Sequence, residues 1–179
     1  VLVGEDYTVA WNTVSLSAST SLANKKIVRD VSKYTVNYIE EGTTNIISKP
    51  KNVDDIEAGN IINSEDEIID IDGYAFSRAE KDSIIIRTDA SKNVINLYYT
   101  KRADLKYTVN YLELDTYKVL RSAKTDQATF EDVIKAKDEI VNIEGYKYIS
   151  SNPESITISA DETENIINIY YEKIPEVNY

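Results

Sequence analysis

The sequence predicts an α+β fold built twice over: two small domains in tandem, each a mixed β-sheet packed on one short helix. Three observations carry that expectation. The hexapeptide Lys-Tyr-Thr-Val-Asn-Tyr at 33–38 recurs unchanged at 106–111, a shift of 73 (33 to 106). Asp72-Gly73-Tyr74 returns as Glu144-Gly145-Tyr146, and the run 93–99 returns at 165–171, both at a shift of 72 (73 to 145, 93 to 165). A unit of about 70 residues is too long for one solenoid turn and long enough to close a small core of its own. The unequal shifts place a one-residue deletion in the second copy between Lys124 and Gly145.

Each copy opens on a strand. Tyr34, Val36 and Tyr38 alternate with Thr35 and Asn37, the period of a half-buried strand. Glu41-Gly42-Thr43 reads as a turn into a second strand near 45–48, with 117–121 as its counterpart. In the middle, Ile61, Ile62, Ile68 and Ile69, like Val133, Ile134, Ile140 and Val141, share one face at helical spacing. Ser64 with Glu67, and Thr129 with Asp132, read as helix starts; Gly73 and Gly145 read as helix stops. The β-branched runs at 83–87 and 155–159 predict strands. Polar turns at 89–92 and 161–164 then join each of them, as a hairpin, to a final strand ending in Tyr98-Tyr99 or Tyr170-Tyr171. Strands, one helix, then strands again is a β-grasp-like (ubiquitin-like) layout.

Residues 1–32 fit neither copy. Tyr7, Val9 and Trp11 alternate, as do Val14, Leu16 and Ala18, which predicts an N-terminal β extension or the tail of a preceding domain, with Trp11 as its anchor. The domains are therefore expected at 1–32 (extension), 33–102 (first repeat), 103–174 (second repeat) and 175–179 (linker, with Pro175).

Composition narrows the function. Across 179 residues, 31 Asp and Glu oppose 20 Lys and Arg, for a net charge of −11. Such a surface repels phosphate backbones and anionic bilayers, which argues against nucleic-acid and membrane partners. No run approaches the roughly 20 apolar residues of a membrane-spanning helix. The chain has no Cys, His or Met, so thiol nucleophiles, imidazole bases, disulfides and the common zinc sites are unavailable. The expectation is a protein that is not an enzyme and has no cofactor and no metal. A chain free of Cys suits export, and one without an initiating Met reads as a fragment or a processed product.

Aligned in this way, the repeats resemble the MucBP-type (mucin-binding-protein) modules of Gram-positive surface proteins. The resemblance rests on the opening Tyr-Thr-Val-Asn-Tyr, the Ile-Asp-Gly-Tyr at 71–74 and the closing Val-Ile-Asn-Leu-Tyr-Tyr at 94–99, with Ile-Glu-Gly-Tyr at 143–146 and the run 166–171 in copy two. A Gly-Lys-x-Gly segment ahead of the mid-repeat is missing; only Ala58-Gly59 remains in copy one. The resemblance implies a β-grasp-like fold, a place on the cell wall or cell surface, and adhesion to mucin-type or other host glycoproteins, without catalytic residues. The alternative is a structural spacer, a stalk that presents a distal domain. A monomer is expected in either case.

Fourteen tyrosines invite a glycan-stacking reading. Ten of them fall at matched positions (34 and 107, 38 and 111, 74 and 146, 98 and 170, 99 and 171) and read as core or interface residues. Tyr117, opposite Thr44, and Tyr148, opposite Phe76, are unmatched and so are the ligand-binding candidates. Asp66, Glu67, Asp70 and Asp72 raise calcium, but Ile68 interrupts the EF-hand pattern and a solvated acidic face is the simpler reading. A Lys–Asn cross-link between first and last strands would join Lys33 to Asn96 and Lys106 to Asn168.

Overall fold

A computed structural model describes residues 30–176. The expected N-terminal strands, the Trp11 anchor and the last three linker residues lie outside the described residues. The chain divides into two compact units: one runs up to Asp70 and takes in Phe76–Thr100, and the other joins Ile71–Ala75 to the chain from Lys101 onward.

The first repeat contains β1 (Val31–Glu40), β2 (Ile46–Glu57), β3 (Ile61–Asn63), β4 (Tyr74–Ala79), β5 (Ser83–Ile85) and β6 (Val94–Lys101). The second contains β7 (Leu105–Glu113), β8 (Val119–Ala128), β9 (Val133–Lys135), β10 (Tyr146–Asn152), β11 (Ser155–Thr157) and β12 (Ile166–Lys173). The main sheets have the same order, β2-β1-β6-β4 and β8-β7-β12-β10. In each, the first strand runs antiparallel to the second and parallel to the last. A two-stranded antiparallel sheet, β3 with β5 or β9 with β11, completes each repeat.

The alternation read from the opening runs decides what is buried. Tyr34, Val36 and Tyr38 of β1 and Ile95, Leu97 and Tyr99 of β6 turn inward. In the second repeat Tyr107, Val109, Tyr111, Ile167, Ile169 and Tyr171 form one apolar cluster with Leu105, Ala136, Ile156 and Ile158. Each buried Val, Leu and Ile among them gains about 1.5–3 kcal/mol. The outer strands β2 and β8 are blunted by Lys49, Pro50 and Lys51 and by Arg121 and Lys124, residues that discourage edge-to-edge pairing.

The expected helix is absent. Among the described residues no α-helix forms; the middle of each repeat is a short strand followed by one 3-10 turn, Ser64–Glu67 or Ala136–Glu139. The β-grasp expectation therefore fails at its helix. Two apolar pairs seven residues apart fit one helical face, but they fit two extended segments around a tight turn equally well, and β-branched neighbours favour the extended form. In β3, Ile62 turns inward and Ile61 outward, as period two requires. Gly73 and Gly145 stop no helix. Each sits at φ 78° in the third position of a β-turn, closed by Tyr74 N–H to Ile71 O (3.0 Å) or Tyr146 N–H to Ile143 O (3.1 Å). Thr129 and Asp132 likewise close a turn, with Thr129 N–H donating to the Asp132 carboxylate at 3.1 Å.

Two further expectations change. The second strand is far longer than 45–48 or 117–121. The predicted final hairpin does not form either, because β5 pairs with β3 while β6 inserts between β1 and β4. The deletion acquires a location as well. Ser32 faces Ile56 but Tyr34 faces Val53, which leaves one extra residue in β2. Lys106, Tyr107 and Thr108 face Gln127, Asp126 and Thr125 without interruption. The residue missing from the second copy is thus a β-bulge, with Asp55 in the left-handed region at φ 59°.

Candidate functional site

The two repeats share three internal polar devices. In the first, a buried carboxylate joins strand, edge and 3-10 turn: Glu67 accepts from Tyr34 Oη at 2.9 Å and pairs with Lys51 Nζ on β2. Glu139 does the same with Tyr107 Oη (3.0 Å) and Lys124 Nζ (2.7 Å). Burial, followed by the bond to Glu67, pushes the Tyr34 phenol up to about 12. Hydrogen bonding to Glu139 leads the effects that raise the Lys124 ammonium, so this amine stays protonated and is no nucleophile.

In the second device the last-strand tyrosine clamps the segment after the 3-10 turn. Tyr99 Oη donates to Ile69 O (3.1 Å) and accepts from Ile69 N–H (3.2 Å); Tyr171 Oη does the same with Val141 (2.8 and 3.2 Å). The third is a buried asparagine ahead of the last strand. Asn93 Nδ2 donates to Lys33 O (3.0 Å) and Arg87 O (2.7 Å) while Oδ1 accepts from Arg87 N–H (2.9 Å). Asn165 repeats this with Lys106 O (3.1 Å), Ser159 O (2.9 Å) and Ser159 N–H (2.8 Å). A side-chain amide here serves backbone groups that the ladder leaves unpaired.

Sequence reasoning passed over Lys51, Lys124, Glu67 and Glu139 as partners. Their signal was present in the repetition, since 51 to 124 and 67 to 139 are shifts of 73 and 72. In the acidic run Glu67 turns inward to Tyr34 and Lys51, and Asp66 accepts from Asn63 Nδ2 at 3.2 Å; no group of three or more acidic side chains placed to hold a metal ion occurs among the described residues. Asn96 lies opposite Asn37 and Asn168 opposite Asn110. Lys33 and Lys106 are thus four residues, about 13 Å, along the strand from the position a cross-link needs.

The candidate tyrosines separate. Tyr148 on β10 lies opposite Tyr171, on the inward face, and meets its ring edge-on at 6.3 Å. Phe76 meets Tyr99 in the same way at 5.6 Å, so Tyr148 continues a packing position of both repeats. Tyr117 differs. It projects from the β7–β8 turn at 65% exposure, with φ 56°, and its ring stands edge-on to Tyr170 at 6.1 Å. A bulky residue in the left-handed region is strained. Around it lie Thr116 and Glu113, joined at 2.6 Å, with Tyr146 Oη donating to the same carboxylate at 3.3 Å. An exposed aromatic ring beside fixed acceptors can stack on a sugar and bond its hydroxyls.

No protein-family model matches the chain, and no curated protein matches it. Solved structures similar to it include the type 2 repeat of the mucus binding protein MUB from Lactobacillus reuteri, at 13% identity and a TM-score of 0.29, over 80% of this chain and 100% of that one. Mub-RV aligns at 10% identity and a TM-score of 0.27, over 82% and 100%. Domains 3–4 of the Streptococcal High Identity Repeats in Tandem (SHIRT) from a cell surface protein align at 13% and 0.30, over 80% and 99%. At these TM-scores the likenesses lend no weight to a family, a ligand or an activity.

Proposed function

We propose that the chain is a tandem pair of non-catalytic repeats from an extracellular surface protein, acting as a structural spacer. One observation carries this reading: the inward-facing polar residues held in common at shifts of 72 and 73 are spent on internal bonds. Glu67 and Glu139, Asn93 and Asn165, Tyr99 and Tyr171 each satisfy the fold. The acidic, cysteine-free composition suits an extracellular setting.

A second reading, adhesion to mucin-type or other host glycoproteins, is favoured by the strained and exposed Tyr117. Glycan and glycoprotein arrays probed with the full chain and with Tyr117→Ala decide between the two. Silence from both proteins supports the spacer. Saturable binding that Tyr117→Ala abolishes replaces the spacer with an adhesin whose site lies in the second repeat.

A further inference from the structure

We propose that each repeat is a load-bearing element, built so that tension along the chain shears its first and last strands against each other. The topology sets this. The chain enters the first repeat at the start of β1 and leaves at the end of β6, and these strands are adjacent and parallel. Its entry and exit therefore lie at opposite ends of one strand pair, and tension drives the two strands apart along their common axis. Six registered positions, Thr35 opposite Val94 through Glu40 opposite Tyr99, must give way together. The second repeat reproduces the arrangement with six, Thr108 opposite Ile166 through Glu113 opposite Tyr171. Antiparallel terminal strands would place entry and exit at the same end, and the bonds would open one by one.

The residues that the repeats share reinforce this seam. Asn37 Nδ2 donates to Asn96 Oδ1 across it at 2.9 Å, and Asn110 Nδ2 to Asn168 Oδ1 at 2.8 Å. The buried asparagines close one end, through Asn93 Nδ2 to Lys33 O and Asn165 Nδ2 to Lys106 O. The other end is closed by Glu41 N–H to Tyr99 O and Leu114 N–H to Tyr171 O, both at 2.7 Å. Much of the strongest repetition in the sequence thus falls on the strands that carry the load.

The biological purpose of this resistance rests on the spacer reading, whereas the mechanical property belongs to the fold alone. Single-molecule stretching of the full chain tests it, because an absence of Cys allows attachment points to be placed at will. Pulling by the two termini loads β7 and β12 in shear. Pulling between Lys106→Cys and Glu164→Cys, both at the starting end of this parallel pair, peels the same strands apart. Rupture of the second repeat is expected to need a several-fold higher force by the termini than by the cysteine pair. Equal forces, or a weaker terminal geometry, overturn the proposal. Asn168→Ala should speed rupture under constant terminal load about fivefold, the rate equivalent of one net side-chain hydrogen bond; an unchanged rate removes the asparagine bridge from the seam. Weak shear with silent arrays sinks this proposal and leaves the spacer reading standing. Array binding through Tyr117 sinks the spacer reading and leaves the shear comparison intact.

Discussion

The same outer-face tyrosine is covered differently in the two repeats. In the first, Arg78 on β4 stands 4.1 Å from the centroid of the Tyr98 ring and pairs with Glu41 in the β1–β2 turn. The corresponding positions in the second are Ser150 and Leu114, so cation and carboxylate are both gone. There Tyr117, in the turn where the first repeat has Thr44, brings its ring edge to Tyr170. The turns themselves share one left-handed position, Gly42 at φ 76° and Asp115 at φ 66°, and Tyr117 adds a second. What differs in this comparison lies at the turn and in the cover over the outer face, while the residues beneath the sheet are kept. Interior devices are fixed because each satisfies buried groups, and surface cover can be rebuilt from other side chains.

The largest test of that contrast is to remove the kept asparagine. Asn93→Ala and Asn165→Ala each strand several buried backbone groups, and each should destabilise its own repeat by ~3 kcal/mol or more. Urea unfolding should show the transition of the altered repeat move while the other stays. A loss below ~1 kcal/mol would show that water replaces the amide.

Next comes the buried carboxylate. Glu67→Ala and Glu139→Ala should each cost about 2 kcal/mol, discounted because Lys51 and Lys124 remain partly exposed. Urea transitions report this too, with Glu139 expected to cost at least as much because Lys124 reaches both of its carboxylate oxygens, at 2.9 and 2.7 Å.

Alkali should weaken both repeats. In the fold the Tyr34 phenol is held at about 12, above the ordinary value near ~10 of an unfolded tyrosine. Its contribution to stability is therefore complete below ~pH 10 and disappears as pH rises toward 12. Burial raises Tyr107 as well, but the Lys124 ammonium on its oxygen opposes the rise. The raised Lys124 ammonium is a further group whose contribution is lost in alkali, so both repeats should lose stability as pH rises above ~10, and Tyr34→Phe should lessen that loss in the first. Tyrosinate absorbance, followed alongside circular dichroism, measures both.

The smallest effect expected is from deleting Asp55. This removes the bulge and gives β2 the uninterrupted register of β8. Thermal unfolding should shift by the equivalent of less than ~1 kcal/mol, since the lost left-handed residue offsets the local rearrangement. A large loss would mean that the bulge supports packing the second repeat achieves otherwise.

The opening and closing strands were legible because their alternation is strict and their pattern occurs twice. The short strands β3 and β9 were not, since Ile61-Ile62 and Val133-Ile134 satisfy helical and extended periods alike over so few residues. Strands β4 and β10 were missed because they are edge strands on which most residues stay exposed, which blurs the alternation. Of the two candidate tyrosines, only Tyr117 remained distinct. Tyr148 is unmatched by identity, but aromatic character is kept between it and Phe76.

By itself the sequence determined that there are two repeats, that each opens and closes on a strand, and which face of those two strands is apolar. These follow from local periodicity and from duplication, which can be read along the chain. Only the tertiary structure decided that first and last strands are parallel neighbours, that β5 turns to β3 instead of β6, and that Glu67 and Glu139 point inward to a lysine and a tyrosine. Those outcomes depend on groups 15 to 60 residues apart satisfying one another's buried polar atoms, and no pattern within a single segment encodes that choice.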